Sequence, residues 1–177
     1  ETGQKFWIFN PFPWIKNPKL LTAWKKGLTG YPIVDAGMRE LYSTGWMHNR
    51  VRMIVGSFLV KHLLIHWIEG EKHFRKCLLD YNEANNISGW QWVAGCGADA
   101  APYFRIFNPI LQGEKFDKDG DYVKKWVPEL RKVPKKFIHK PWEINDENIL
   151  MLNKDYPSPV VNHEEARSRA LAAFKKI

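Results

Sequence analysis

Apolar and polar positions follow helical spacing along most of the chain, and no two-residue alternation persists long enough to predict a strand. Lys19 to Gly27 reads as a short helix stopped by its glycine. Pro32 sits where a first helical turn accepts proline, and Ile33, Val34, Met38 and Leu41 mark one face of a helix to about Thr44. From Val51 to Ile68 apolar residues fall on nearly all sides, including Ile54, Val55, Phe58, Leu59, Leu63, Leu64 and Trp67. A helix apolar all round is predicted to be central and buried. Glu69-Gly70-Glu71 breaks it, and Phe74, Leu78 and Leu79 carry a further helix. Leu78 to Trp92 then reads as a polar loop between helical patterns. It crowds Asp80, Asn82, Asn85 and Asn86 together and delivers Trp90 and Trp92.

Downstream, Asp119-Gly120 is a turn and Tyr122 to Leu130 a helix carrying Trp126. Arg131 to Pro159 holds Pro134, Pro141, Pro157 and Pro159 among scattered charges, which predicts a segment wrapping the surface. His163 to Ile177 places Glu164 and Glu165 early and Lys175 and Lys176 late, the charge order that a helix dipole favours. At the other end, Glu1 to Pro18 mixes Phe6, Trp7, Phe9, Phe12 and Trp14 with three prolines, so no continuous helix is expected there. The fold class is all-α. Residues 1–130 form the expected core, and residues 131–177 a wrapping segment and terminal helix of the same domain.

Composition changes this picture in one respect. The chain has 177 residues, 45% hydrophobic and 26% charged, ordinary for one globular domain, but nine are tryptophan. Indoles fill cores, and they also stack on flat heteroaromatic rings and give up single electrons. The formal charge of +8 suits an anionic partner. Cys77 and Cys96 form no CxxC pair, so neither a disulfide framework nor a metal site is expected, and the compartment is the reducing cytoplasm. The longest apolar run, Met53 to Val60, is far too short to span a membrane. The first residue is Glu1 and not methionine, which suggests a piece of something longer.

Four stretches carry the chemistry. They are Thr29-Gly-Tyr-Pro-Ile-Val-Asp-Ala-Gly-Met-Arg39, Thr44-Gly-Trp-Met-His-Asn-Arg50, Asn85-Asn-Ile-Ser-Gly-Trp-Gln-Trp92 and Asp99-Ala-Ala-Pro-Tyr-Phe-Arg-Ile-Phe-Asn-Pro109. On residues alone, Asn49, Arg52 and Met53 lie within one helical turn of each other, and Asp80 offers a carboxylate to an arginine. A loop of amides and carboxylates beside indoles suits a flat, polar-edged ligand. In order and spacing, the four stretches resemble the flavin-binding helical domain of the DNA photolyase and cryptochrome family. The likeness is greatest to bacterial class I cyclobutane pyrimidine dimer photolyases and runs from about Trp14 to Glu165.

The resemblance implies FAD as cofactor and DNA containing pyrimidine dimers as partner, with the protein a monomer. It implies that Asp80 and Asn82 contact the pyrimidine edge of the flavin, that Arg52 pairs with Asp80, and that Asn86 faces N5. Trp46, Asn49 and Tyr81 complete the implied cofactor set. Asn49, Arg50, Met53 and Gln112 would lie on the DNA side, with Trp92 near the extruded lesion. Trp14, Trp67 and Trp90, in that order of travel, match tryptophans that pass electrons to the flavin. Without the resemblance, Trp67 reads as core, Trp14 as a packing anchor, Arg50 as a solvated charge and Met53 as a gap filler. Asn82 departs from the family, where aspartate is common.

Asn86 bears on repair against signalling. An amide accepts a hydrogen bond from N5–H but has no acidic proton to give, whereas the aspartic acid that plant cryptochromes carry there has one. Asn86 therefore favours a repair lyase over a blue-light photoreceptor, and a helical piece without flavin is the third reading. The family's α/β antenna domain, its Ser/Thr-rich phosphate loop and its Trp-Arg-Glu segment have no counterpart in these residues.

Overall fold

Capping side chains set the helix boundaries in the computed structural model, which describes residues 12–145 and 155–175. Helix α1 (Pro18–Lys26) starts where the Asn17 side chain accepts from the Leu20 amide, and ends at Gly27 in the left-handed region. Helix α2 (Pro32–Thr44) has proline at its first position and Gly45 past its end. Helix α3 (Asn49–Ser57) and helix α4 (Trp67–Cys77) are both capped by a histidine ring nitrogen, from His48 and His66. Helix α5 (Glu83–Ala94) is capped by Asn82, helix α6 (Pro109–Phe116) by Asn108, and helix α8 (His163–Phe174) by Asn162. Helix α7 (Asp121–Trp126) is short and runs into a 3₁₀ turn at Pro128–Leu130. The described residues contain these eight α-helices and no strand, so the all-α expectation holds.

Three expected boundaries are corrected. The central apolar stretch is not one helix to Ile68. After Ser57 it widens into a π-helical turn, Phe58–His62, closed by the Leu63 amide on the Phe58 carbonyl at 3.1 Å. Leu64 then takes a φ of 50°, a backbone conformation uncommon for leucine, before His66 caps α4. Conversely, Glu69-Gly70-Glu71 breaks nothing, because it lies inside α4. Gly70 is there for close packing: a Cβ on it would meet the Trp90 ring at 2.1 Å. Gly70→Ala is accordingly expected to destabilise the protein by about 1–3 kcal/mol, the usual range for overpacking, read as a lower denaturation midpoint.

Leu78 to Trp92 is also not one loop. Only the residues between α4 and α5 are irregular, since Asn82 accepts from the Asn85 amide at 3.0 Å and starts α5 early. The asparagines thus line the first turns of a helix that carries both indoles.

The main core gathers residues of α1 to α5, the π turn and α8, with Trp24, Met38, Ile54, Phe58 and Leu63 almost wholly buried. A smaller core joins Ala36 to Val123, Val127, Leu130, Val133, Ile138, Ile144 and Tyr156. The proline-bearing segment therefore supplies buried side chains as well as surface. Asp35 ties it to α2: the carboxylate accepts from the Thr29 amide and hydroxyl, the Gly30 amide and the Tyr156 hydroxyl. The expectations for Phe6, Trp7 and Phe9, and for the last two residues, lie outside the described residues.

Candidate flavin and nucleic-acid site

Helices α3, α4 and α5 enclose a cavity of about 330 Å³. Its polar wall is Asn49, Arg52, Asp80, Asn82, Asn85 and Asn86, and its apolar floor includes Met53, Phe74, Leu78, Trp90 and Val93. The helical register explains the set. Asn86, Gly89, Trp90 and Val93 follow one another at three- and four-residue spacing along one face of α5, as Asn49, Arg52, Met53 and Gly56 do on α3. Gly89 matters here, because a Cβ on it would meet nothing within 4 Å and would project into open space between this cavity and the next.

Arg52 is fixed at both ends of its guanidinium. One terminal nitrogen (Nη2) meets Asp80 at 2.6 Å, while Nε donates to the Met47 carbonyl at 2.7 Å. Pairing compensates the Arg52 charge on the cavity wall and leaves the second Asp80 oxygen and the other terminal nitrogen of Arg52 outside that contact. Behind the wall lies buried Glu71. Its Oε1 accepts from Nε of Arg75 at 3.1 Å, from the Tyr81 hydroxyl at 3.3 Å and from Nδ2 of Asn86 at 3.3 Å. The Glu71 hydrogen bond holds the Arg75 guanidinium above its ordinary pKa.

Of the expected cofactor set, the structure brings Asn49, Arg52, Asp80, Asn82 and Asn86 to the cavity. Trp46 and Tyr81 are not among its lining residues. Trp46 is exposed and sits edge-on to His48, and Tyr81 points its hydroxyl back to Glu71. Of the expected DNA residues, Asn49 and Met53 line the cavity and touch, Nδ2 to Sδ, at 3.9 Å. Trp92 lines a second cavity of about 360 Å³ with Ser88, Gln91 and Cys96, adjoining the first at Gly89. Arg50 lies over the Phe116 ring at 4.8 Å, and Gln112 lines neither cavity and has a buried amide oxygen without a partner.

Of the three expected relay indoles, Trp90 lines the cavity. Trp14 and Trp67 are half-buried, and the His66 ring neighbours both, 4.8 Å from Trp14 and 5.8 Å from Trp67. Burial lowers the pKa of His66 below the ordinary imidazole value, which keeps the ring neutral and able to accept from the Ile68 amide.

Several contributors escaped the sequence reading. Glu71 was hidden in what looked like a helix break. Phe74, Leu78 and Val93 gave only the ordinary signal of a helix face. Arg105, 6.0 Å from the Trp92 ring centre, lies within the Asp99–Pro109 stretch, where its charge alone gives no signal of that contact.

The donor set fits a flavin ring: a charge-compensated arginine, four amides and an indole surround an apolar floor. A family model described as the FAD binding domain of DNA photolyase matches residues 5–176. The chain belongs to this family. It is 58% identical to a deoxyribodipyrimidine photo-lyase of Agrobacterium fabrum, covering 100% of this chain and 38% of that protein. A crystal structure of a bacterial class III photolyase from Agrobacterium tumefaciens superposes with a TM-score of 0.91 at 59% identity, over 95% of this chain and 36% of that one. A Synechocystis cryptochrome superposes with a TM-score of 0.86 at 40% identity, over 92% of this chain and 34% of that one. The photolyase-family domain described here thus spans just over a third of the length of the relatives it matches. None of its described helices is long and apolar enough to cross a membrane.

Proposed function

We propose that the full-length protein containing this chain splits cyclobutane pyrimidine dimers in DNA under light, with FAD held in the cavity of α3, α4 and α5. The observation that carries the reading is an amide, Asn86, on the cavity wall beside the Arg52–Asp80 pair, in a chain 58% identical to deoxyribodipyrimidine photo-lyases. The chemistry that reduced FAD would supply, when held there, is light-driven transfer and recovery of one electron. Arg52 and Asp80 would hold one polar edge of the ring, with Asn82 and Asn85 beside them on the same wall. Phe74, Trp90 and Val93 exclude water from the floor. Asn86 accepts a hydrogen bond without offering an acidic proton.

The DNA face in this reading includes Asn49, Arg50, Met53, Trp92 and Gln112, with Arg105 added by its place over Trp92. Basic side chains hold phosphates and aromatic ones stack on extruded bases. A monomer working in the cytoplasm fits two free cysteines.

The test is loss of dimers from a damaged oligonucleotide, followed by chromatography, with reduced-flavin-loaded full-length protein in light and in darkness. Light-dependent loss is expected. Stoichiometric flavin without dimer loss would move the protein to the second reading, a photoreceptor like the Synechocystis cryptochrome it resembles. Asn86→Asp is expected to lower repair while flavin content holds. An aspartate there would lie beside the Glu71 carboxylate, whose like charge raises its pKa and keeps a proton ready to give.

A further inference from the structure

The π turn turns a lysine inward. Along α3, Gly56 faces Trp90 and Val93 of α5. An unbroken helix would next present Leu59 or Val60 on that face. The wider turn carries an extra residue, and Lys61 takes the place instead. Its terminal nitrogen sits where three elements meet. A Cβ on Gly95, the left-handed residue past α5, would stand 3.6 Å from it. The Phe174 ring centre of α8 and the Tyr103 carbonyl each lie at 3.5 Å.

The Tyr103 contact matters because little else holds its loop. Pro102, Tyr103, Phe104 and Arg105 are all exposed, so side-chain burial does not fix them. The Arg105 amide bonds within the loop itself, to the Pro102 carbonyl at 2.8 Å. Both flanks are tied to the body. The Ala101 amide donates to the Trp92 carbonyl at 3.1 Å, and the Phe107 amide to the Ser57 hydroxyl at 3.4 Å. Between those ties, the described hydrogen bond that reaches the loop from the body is the one from Lys61. The loop in turn carries the Arg105 guanidinium to 6.0 Å from the Trp92 ring centre. A buried amine without a carboxylate partner lowers stability, and an apolar side chain would fill the same space without that cost.

We propose that Lys61 is a positioning residue for DNA binding: it fixes the Tyr103 carbonyl from inside the fold and so holds Arg105 over Trp92 before DNA arrives. The proposal rests on the DNA face described above and deepens it with a residue that touches no ligand. Lys61 lines neither cavity. Its nitrogen keeps N–H groups whether or not it is protonated, so the tie does not depend on its charge. A loop ordered in advance meets DNA without an ordering cost, and losing that order weakens binding roughly tenfold.

The experiment compares full-length, FAD-loaded Lys61→Met with wild type at one fixed salt concentration. The dissociation constant for a dimer-containing oligonucleotide should rise roughly tenfold, while dimer splitting at saturating DNA holds. In DNA-free protein, deuterium exchange should quicken at the amides of Tyr103 to Phe107 and not in α3 or α5. A merely structural role would instead lower stability and quicken exchange throughout. In an Arg105→Ala background, Lys61→Met should change DNA affinity by about twofold or less. Unchanged affinity, unchanged exchange in the loop, or a full effect that persists without Arg105 would each overturn the proposal. A second measurement needs no variant. In DNA-free wild type the Arg105 amide should already be protected, because its bond to Pro102 belongs to the ordered loop. Exchange there at the unfolded rate would overturn the proposal even if Lys61→Met failed to fold. Wild type that binds damaged and intact DNA equally would remove the DNA reading and the proposal with it, a result visible before any variant is compared.

Discussion

Trp90→Phe is expected to reduce light-driven reduction of bound oxidised flavin to background, and to leave repair by chemically pre-reduced protein unchanged. Of the three indoles proposed as a relay, Trp90 lines the cavity, and it packs edge-on to Phe74 at 5.0 Å. Phenylalanine fills most of the same space but is much harder to oxidise, so the substitution removes the electron donor and spares the floor. The outer two indoles of the proposed relay share one neighbour: the His66 ring is tilted against both, 4.8 Å from Trp14 and 5.8 Å from Trp67. Trp67→Phe should therefore slow the reaction by cutting the supply behind Trp90. The measurement is flavin absorbance during illumination with an external reductant, beside repair assayed in the dark-reduced state. Unchanged photoreduction in Trp90→Phe would leave Trp90 as a packing residue only. Loss of repair in the pre-reduced protein would instead show that the ring shapes the flavin site.

How far the sequence could be read depends on which interactions are local. The ends of α1 and α2 were legible because Gly27 and Gly45 act within one turn, through their own backbone. The polar wall of the candidate cavity was legible in part through residues close in sequence, Asn49 with Arg52 and Asp80 with Asn82. The π turn at Phe58–His62 was not, because a stretch apolar on every side has no phase to lose when the helix widens. Gly70 looked like a breaker because its reason is an indole twenty residues on. The asparagines of α5 looked like a loop because their side chains, one of which caps the helix, are also those of turns. Glu71 shows the limit most clearly. Nothing within its own helix signals that it will hold Asn86, since that contact exists only once α4 and α5 pack together.

The same packing buries a lysine. Lys61 is 1% exposed on the π turn, its Nζ 3.5 Å from the centre of the Phe174 ring and 3.5 Å from the Tyr103 carbonyl. No carboxylate pairs with it among the described residues. Burial lowers its pKa to about 7, with the Cys96 thiol opposing in small part. An unfolded lysine keeps its proton to about pH 10.4, so between those limits the unfolded chain binds the extra proton. Stability due to Lys61 therefore rises with pH across that window, by about 1.4 kcal/mol per unit. Lys61→Met removes the buried charge and keeps most of the volume. The variant is expected to be more stable than wild type by a few kcal/mol near pH 7, with the advantage shrinking steadily toward pH 10. Part of the gain is offset by the lost ring contact and the lost hydrogen bond to Tyr103, roughly 1 kcal/mol each. Burial also raises the Cys96 thiol to about 11, which lowers stability above its ordinary range. That contribution is common to both proteins and largely cancels in their difference. Urea unfolding of the pair from pH 6 to pH 9 measures the slope. A difference that stays flat across that range would mean that Lys61 keeps its proton in the folded protein, held by the Phe174 ring and the Tyr103 carbonyl against the loss of water.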